Sequence, residues 1–369
     1  MKIIAVFFGG ESVEHDVSVI TGVMTLNSVD KKFLAVPVYV HNDGSWYTGD
    51  QLKDVSFYKK FDAKKLKKVT LLGGDNALYQ IKGKKLKKLQ SISVAINCMH
   101  GERGEDGSLS GLLRMCKIPL ASPSILASSV CMDKSATKIF LKGIGVKHLP
   151  AITVNKASDL EGREGQIEYP VIVKPATLGS SIGIKTATCF EELFSAVIFA
   201  TKYSRRVVIE KLLSPVTEIN CAIYKDAKGI HVSECEKPSF SGEILDFDDK
   251  YTKGQREFPA NIDNITSQKI KRIAKKIYTH LDVDGIIRID FLVHNSTVYV
   301  NEINTVPGSL AYYLFVENTG EFCDLLSGII RFSEEKFLRD ETLVRSYSTT
   351  LLNIKGAKGS KTLEKTRRV

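Results

Sequence analysis

Apolar positions along this chain recur with two periods, and the changes between them mark successive stretches. In residues 1–122, short apolar runs at 3–8, 35–40 and 94–98 read as buried strands, and 17–29 carries a helical period. This order predicts a doubly wound, Rossmann-like α/β unit, whose ligands gather at the carboxyl ends of its strands. Gly9-Gly10 and His100-Gly101 fall at those ends. From 123 to 212 the pattern predicts a helix bearing Lys134, strands around Ile152 and Val171, and a helix at 190–200. From 213 to 330 strands are expected near 218–224, 229–236 and 286–304. Residues 331–369 read as a basic tail, its end disordered.

Composition narrows the class without deciding the function. The chain has 369 residues, 43% hydrophobic and 25% charged, which suits a soluble protein of two or three domains. The first apolar run is six residues long, too short for a signal-peptide core, and no segment approaches a membrane span. Seven scattered cysteines with no Cys-x-x-Cys pair predict free thiols in a reducing cytoplasm. The net charge of +10 is concentrated in residues 51–90, which hold 12 lysines against three aspartates and no arginine. Nucleic-acid surfaces interleave arginine and stacking aromatics, so this KKLKK-repeating segment reads as a solvated surface with Leu66 and Leu86 as anchors. Neither nucleic acid nor a membrane is expected as a partner.

Two stretches hold candidate chemistry. Residues 288–308, RIDFLVHNSTVYVNEINTVPG, place Asp290 on one strand and Glu302 and Asn304 on the next, with a turn at 294–297. Positions two apart share a strand face. Hard oxygen donors without histidine or cysteine suit Mg²⁺ completed by substrate phosphates, while the alternative is a polar hairpin face. Residues 169–184, YPVIVKPATLGSSIGI, deliver Lys174 at the end of a buried run, followed by a Gly/Ser loop. Ser180 and Ser181 supply hydroxyls there, and the glycines allow backbone N–H groups to approach an anion. The lysine precedes the glycines, so this is not a P-loop, and a plain glycine-rich turn is the alternative.

Together these parts resemble the ATP-grasp superfamily. Three further segments, GGESVEHDVS at 9–18, HGERGEDGSLSG at 100–111 and MDKSATK at 132–138, resemble the D-alanine–D-alanine ligase family within it. The resemblance implies a three-domain α/β architecture, with boundaries at about 122, 212 and 330. It implies ligation of two D-alanines through an acylphosphate, for peptidoglycan synthesis, in a cytoplasmic homodimer. ATP is then a substrate, with two Mg²⁺ ions, or Mn²⁺ in their place, held by Asp290, Glu302 and Asn304.

The resemblance also implies roles residue by residue. Lys134 and Lys174 meet the ATP phosphates, Glu210 the adenine amino group with Leu212 and Leu213 beside the base, and Glu218 the ribose. Lys250 reaches phosphate. Tyr251 joins Ser180 and Glu14 in a hydrogen-bonded set in which Glu14 holds the first substrate's ammonium, although Glu14 and Tyr251 also read as simple loop residues. Arg288 stabilises the transferring phosphoryl group, or else forms a structural ion pair with Glu302. The N–H of Gly308 faces the oxyanion of the tetrahedral intermediate. Three positions depart from the family pattern: Ser110 replaces glutamine, PLAS at 119–122 replaces Pro-Tyr-Thr-Gly, and Tyr313 replaces a serine that binds the second substrate's carboxylate. A ligase for a different amino-acid or hydroxy-acid pair is the alternative reading.

Overall fold

The computed structural model describes residues 1–238 and 256–349. Contacts divide the chain into a large unit, residues 1–334, and a short one, 335–369. The first sheet is built on β1 (Ile3–Gly9), flanked in parallel by β2 (Leu34–Val40) and, on its other edge, by β7 (Val94–Asn97). Helix α1 (His15–Ser28) connects the first two strands. Residues 4–8 are fully buried, as a strand covered on both faces must be.

Beyond β2 the sheet continues antiparallel through β3 (Trp46–Thr48), β4 (Lys67–Leu72), β5 (Asp75–Lys82) and β6 (Lys85–Ser91), giving the order β6-β5-β4-β3-β2-β1-β7. The lysine-rich segment thus forms the outer strands of this sheet. Leu66 packs against the core, as an anchor should, but Leu86 is exposed. On an outermost strand with lysine on both faces there is no apolar layer for Leu86 to enter. Helix α2 (Ser108–Met115) follows β7, and its Ser110 hydroxyl is buried, donating to the Pro123 carbonyl at 3.1 Å.

Helices α3 (Ile125–Met132) and α4 (Lys134–Gly143) lead into a second, antiparallel sheet. It contains β8 (Ala151–Val154), β9 (Val171–Pro175), β10 (Lys185–Ala187) and, after α5 (Phe190–Ala200), β11 (Val207–Lys211), in the order β10-β9-β11-β8. Val171, Val173, Val207 and Ile209 pack with Leu193, Ala196 and Val197 of α5. Alternation therefore turns Ile172, Lys174, Val208 and Glu210 to the opposite face.

The third sheet holds β12 (Thr217–Asp226) and β13 (Gly229–Val232). A two-stranded ribbon, β14 (Lys237–Pro238) with β15 (Arg256–Glu257), follows. After α6 (Asn264–His280), the hairpin β16 (Ile287–His294) and β17 (Thr297–Asn304) completes the sheet in the order β13-β12-β16-β17. Ile219, Cys221, Ile289 and Phe291 pack on Ile270, Ala274 and Ile277 of α6, which leaves Glu218, Asn220, Arg288 and Asp290 on the other face.

Helix α7 (Thr319–Glu341) runs past residue 331, where the sequence reading begins a tail; Phe322, Leu325, Leu326, Ile329 and Ile330 give it an apolar stripe at helical spacing. These residues join the core of the first sheet together with Leu310 and Leu314. The chain returns to its own beginning, bringing residues 305–311 against α1. All seven cysteines are free. Among the described residues no helix is long and apolar enough to cross a membrane.

Candidate active site

A cleft of about 820 Å³, counting its open mouth, is lined by the polar faces of the second and third sheets. Lys134, Lys174, Ser181, Glu210, Leu212, Leu213, Glu218, Asp290 and Glu302, all singled out from the sequence, line it together. Their chain separation is large, so the fold has to assemble them. Lys134 begins α4, which is capped by Asp133 through the N–H groups of Ser135 and Ala136. Its ammonium donates to the Leu178 carbonyl at 2.7 Å and lies 3.7 Å from Glu302.

Lys174 is buried with a partner. Its ammonium lies 2.7 Å from Glu210 and 3.1 Å from the Asn301 amide oxygen. Glu210 also binds the ammonium of Lys138, whose Nζ is 3.0 Å from the Leu149 carbonyl. Burial by itself would raise the Glu210 carboxyl, but Lys174 and then Lys138 pull it down to about 2. The sequence-level argument that buried Lys174 requires an anion therefore finds that anion within the chain. Lys138 stands four positions after Lys134, a spacing that places both on one helix face. That was the available signal for a residue the sequence reading passed over.

The hairpin register sets Asp290 directly opposite Glu302 and Arg288 opposite Asn304. A bulge between Asp290 and Phe291 leaves Asn301 as the extra residue, so consecutive Asn301 and Glu302 both reach the cleft. Simple alternation would have turned Asn301 away. Arg288 pairs with Asp290 through Nε at 2.7 Å and Nη2 at 2.9 Å, rather than with Glu302. Asn304 donates to Asp290 at 3.0 Å. Among the described residues no group of three His, Cys, Asp or Glu side chains could hold a metal ion. Two facing carboxylates and an amide fit a Mg²⁺ ion that takes its remaining ligands from phosphate and water, and carboxylate oxygens already bonded to arginine keep further lone pairs.

A smaller recess of about 440 Å³ adjoins the cleft, lined by Lys134, Gly179, Glu302, Asn304 and Glu105 among others. Glu105, inside the HGERGEDG motif, was not singled out from sequence. Its carboxylate accepts from the N–H groups of Gly101 at 2.8 Å and Val306 at 3.2 Å. Burial, and then the nearby Glu14 carboxylate, push it up to about 8. Gly101 adopts φ +76°, and a Cβ there would sit 2.3 Å from the Ser12 hydroxyl, so the loop needs a glycine.

Glu14 is buried beside α1 and accepts a hydrogen bond from Ser180, which removes the reading of Glu14 as a simple surface residue. Lys250 and Tyr251 lie outside the described residues. Gly308 opens a tight turn in which Ser309, Leu310 and Ala311 all have φ near +50°. Consecutive left-handed residues cost of order 1–3 kcal/mol each and persist where the surroundings enforce them. Here the Ser309 N–H is held by the Thr21 hydroxyl of α1 at 3.0 Å. His100, buried at 3.2 Å from the same hydroxyl, is held neutral, its pKa lowered to about 3 by burial and then by Arg288.

Comparison with known proteins identifies the family. Residues 3–123 match the family described as D-ala D-ala ligase N-terminus, and residues 140–330 match D-ala D-ala ligase C-terminus. The D-alanine–D-alanine ligase of Thermosipho melanesiensis is 36% identical, over 96% of this chain and 99% of that protein. Among solved structures, the D-alanine–D-alanine ligase of Helicobacter pylori is 28% identical with a TM-score of 0.75, covering 90% of this chain and 98% of that one. The VanG D-Ala:D-Ser ligase of Enterococcus faecalis is 25% identical with a TM-score of 0.77, covering 89% of this chain and 99% of that one. The mixed α/β fold is that of the ATP-grasp ligases, and sequence motifs, cleft and family matches converge: this chain belongs to the D-alanine–D-alanine ligase family.

Proposed function

We propose that the protein joins two D-alanines at the expense of ATP, giving D-alanyl-D-alanine, ADP and phosphate for peptidoglycan synthesis. The observation that carries this reading is the cleft itself, lined by Lys134 and Lys174 together with the carboxylates of Asp290 and Glu302, with the Lys134 ammonium 3.7 Å from Glu302. Such a face receives a polyphosphate and its counter-ions at once. Lys134 and Lys174 take the phosphates, Glu210 and Glu218 the adenine and ribose, and Leu212 and Leu213 flank the base. Asp290, Glu302 and Asn304 would hold two Mg²⁺ ions, or Mn²⁺ in their place, which would supply positive charge to offset that of the transferring phosphoryl group.

In this reading the first D-alanine binds with its ammonium at Glu14, and its carboxylate attacks the γ-phosphorus as the bond to ADP breaks. The second D-alanine's amine then attacks the acylphosphate carbonyl, phosphate leaves, and the amine's proton is lost. Gly308 donates its N–H to the oxyanion of that intermediate, and Arg288 faces the transferring phosphoryl group. Ser180 keeps Glu14 oriented through the hydrogen bond between them, with Lys250 and Tyr251 completing the set. Three domains divided near residues 122, 212 and 330, a homodimer and a cytoplasmic location belong to the same reading, supported by the family resemblance.

A second reading, ligation of D-alanine to another acceptor, is favoured by Tyr313, which stands where the family places serine and lies under the Arg256 guanidinium at 4.6 Å. One assay decides between them: ADP release and product mass measured over D- and L-amino acids and hydroxy acids. D-alanine alone supporting stoichiometric ADP release and dipeptide sustains the first reading. Turnover that requires a different second substrate replaces it with the second.

A further inference from the structure

Glu14 heads α1, and the loop that carries it is braced by the next residue. The imidazole of His15 turns back along the chain, with Nδ1 2.6 Å from the Gly10 carbonyl oxygen and Nε2 2.9 Å from the Tyr39 hydroxyl. A carbonyl can only accept, so Nδ1 carries the hydrogen, and in the neutral ring Nε2 then accepts from the phenol. Tyr39 is well placed to hold that bond. Its buried ring lies 5.2 to 5.6 Å from the rings of Phe8, Tyr58 and Phe61, and the imidazole meets it edge-on at 5.6 Å and 74°. Burial raises its hydroxyl well above the ordinary tyrosine range, which keeps the donor in place.

The His15 ring thus closes a circuit from residue 15 back to residue 10, with Glu14 inside it. Within the circuit the Glu14 N–H donates to Ser12 Oγ at 3.1 Å and the His15 N–H to the Ser12 carbonyl at 3.2 Å. The far end is pinned to the sheet, because the Gly10 N–H donates to the Val40 carbonyl at 2.7 Å and the Gly9 N–H to Ser18 Oγ at 2.8 Å. Gly9, at φ +87°, has no room for a side chain: a Cβ would sit 2.2 Å from the Val40 carbonyl oxygen and 2.8 Å from the Tyr39 ring. The bond from Ser180 reaches Glu14 from a segment 166 residues away. His15 instead holds the Glu14 loop from its own side.

We propose that His15 is a positioning residue for the first D-alanine: by bridging the Gly10 carbonyl to the Tyr39 phenol it fixes the 9–15 loop, and with it the direction in which Glu14 presents its carboxylate. The proposal rests on the ligase reading above. Neither His15 nor Tyr39 touches substrate in it.

The test uses the full chain with ATP and D-alanine. ADP release over a wide range of D-alanine is fitted with two constants, one for each amino-acid site, and Glu14→Asp, which draws the carboxylate back by one methylene, marks the constant of the first site. His15→Phe keeps a ring beside Tyr39 and removes both bonds. His15→Asn places an amide where Nδ1 stands, so the Gly10 bond survives and the phenol bond is lost; Tyr39→Phe removes that same phenol bond. The first-site constant is expected to rise about tenfold in His15→Phe and about threefold in His15→Asn and in Tyr39→Phe. The other D-alanine constant and the KM for ATP stay within about twofold of the parent, and the His15→Asn, Tyr39→Phe pair is no worse than either single variant. An unchanged first-site constant, multiplicative losses in the pair, or a parallel rise of all three constants would each overturn the proposal. Thermal unfolding is measured alongside, and if His15→Phe does not fold, the two milder variants and their pair decide by the same criteria. A parent that releases no ADP with D-alanine breaks the ligase reading, and an active parent whose variants fail these criteria breaks this inference alone.

Discussion

Lys174 and Lys87 both extend from β-strands, yet their surroundings have little in common. Lys174 is 9% exposed at its side chain and shares Glu210 with Lys138, while Lys87 stands exposed on β6, the edge of the first sheet. On that edge Lys82 lies directly opposite Lys85, an arrangement that costs a few tenths of a kcal/mol at most when water and salt screen it. In the cleft the same charge cannot be screened and has to be answered by a carboxylate. A lysine therefore reports function only once its burial is known. Edge lysines also keep β6 from pairing with a second molecule.

The comparison breaks first at Glu302. Glu302→Gln preserves volume and removes the negative charge facing Asp290, and turnover should fall at least a thousandfold, about 4 kcal/mol in barrier. Circular dichroism and thermal unfolding should match the parent. Near-normal ligation at saturating Mg²⁺ would show that the metal carboxylate has been misplaced. Next comes Glu210→Ala, which strands two buried ammonium groups; the expected loss of stability is about 3 kcal/mol, read from the urea midpoint. A loss below about 1 kcal/mol would place Glu210 with the exposed charges instead.

Glu105 sharpens the same contrast through pH. Its carboxyl is raised to about 8 in the fold from 4.5, so the unfolded chain releases this proton first as pH rises. The group thus withdraws stability progressively between about pH 4.5 and pH 8. Glu105→Gln should unfold like the parent near pH 4 and at higher temperature than the parent at pH 8, by about 2 to 4 °C for each kcal/mol recovered. Equal melting profiles across that window would show that the carboxyl ionises freely. The smallest effect belongs to the lysine edge. Changing Lys84, Lys85, Lys87 and Lys88 together to glutamine should leave turnover within about twofold and stability within about 0.5 kcal/mol. Solubility and salt sensitivity should change instead, and tight binding of the parent to a polyanion would contradict the solvated reading.

Much of the frame is legible in the sequence because burial on both faces leaves continuous apolar runs, as at 3–8 and 35–40, and because the 294–297 turn separates two clear strands. The strands of the lysine segment were not legible. K-K-L-K-K places charge on both faces, so the period of two that marks a half-buried strand is missing at an edge. The cleft residues were found as motifs, yet their partners were not, since the Glu210 pairing joins elements about 40 to 70 residues apart and only tertiary packing brings them together. The bulge that presents Asn301 beside Glu302 is likewise set by pairing rather than by composition.

The return of α7 to the first sheet has a consequence during synthesis. Leu326, Ile329 and Ile330 face Ile96, Ala121 and Leu310 around a small apolar recess. When residues 1–123 leave the ribosome, that part of their surface has no cover, and the segments that provide it emerge some 200 residues later. At 5 to 20 residues per second the nascent chain stays in that state for roughly 10 to 40 s. Ile96 and Ala121 then present apolar surface of the kind that chaperones bind, and the arrival of α7, rather than the assembly of the cleft, covers it.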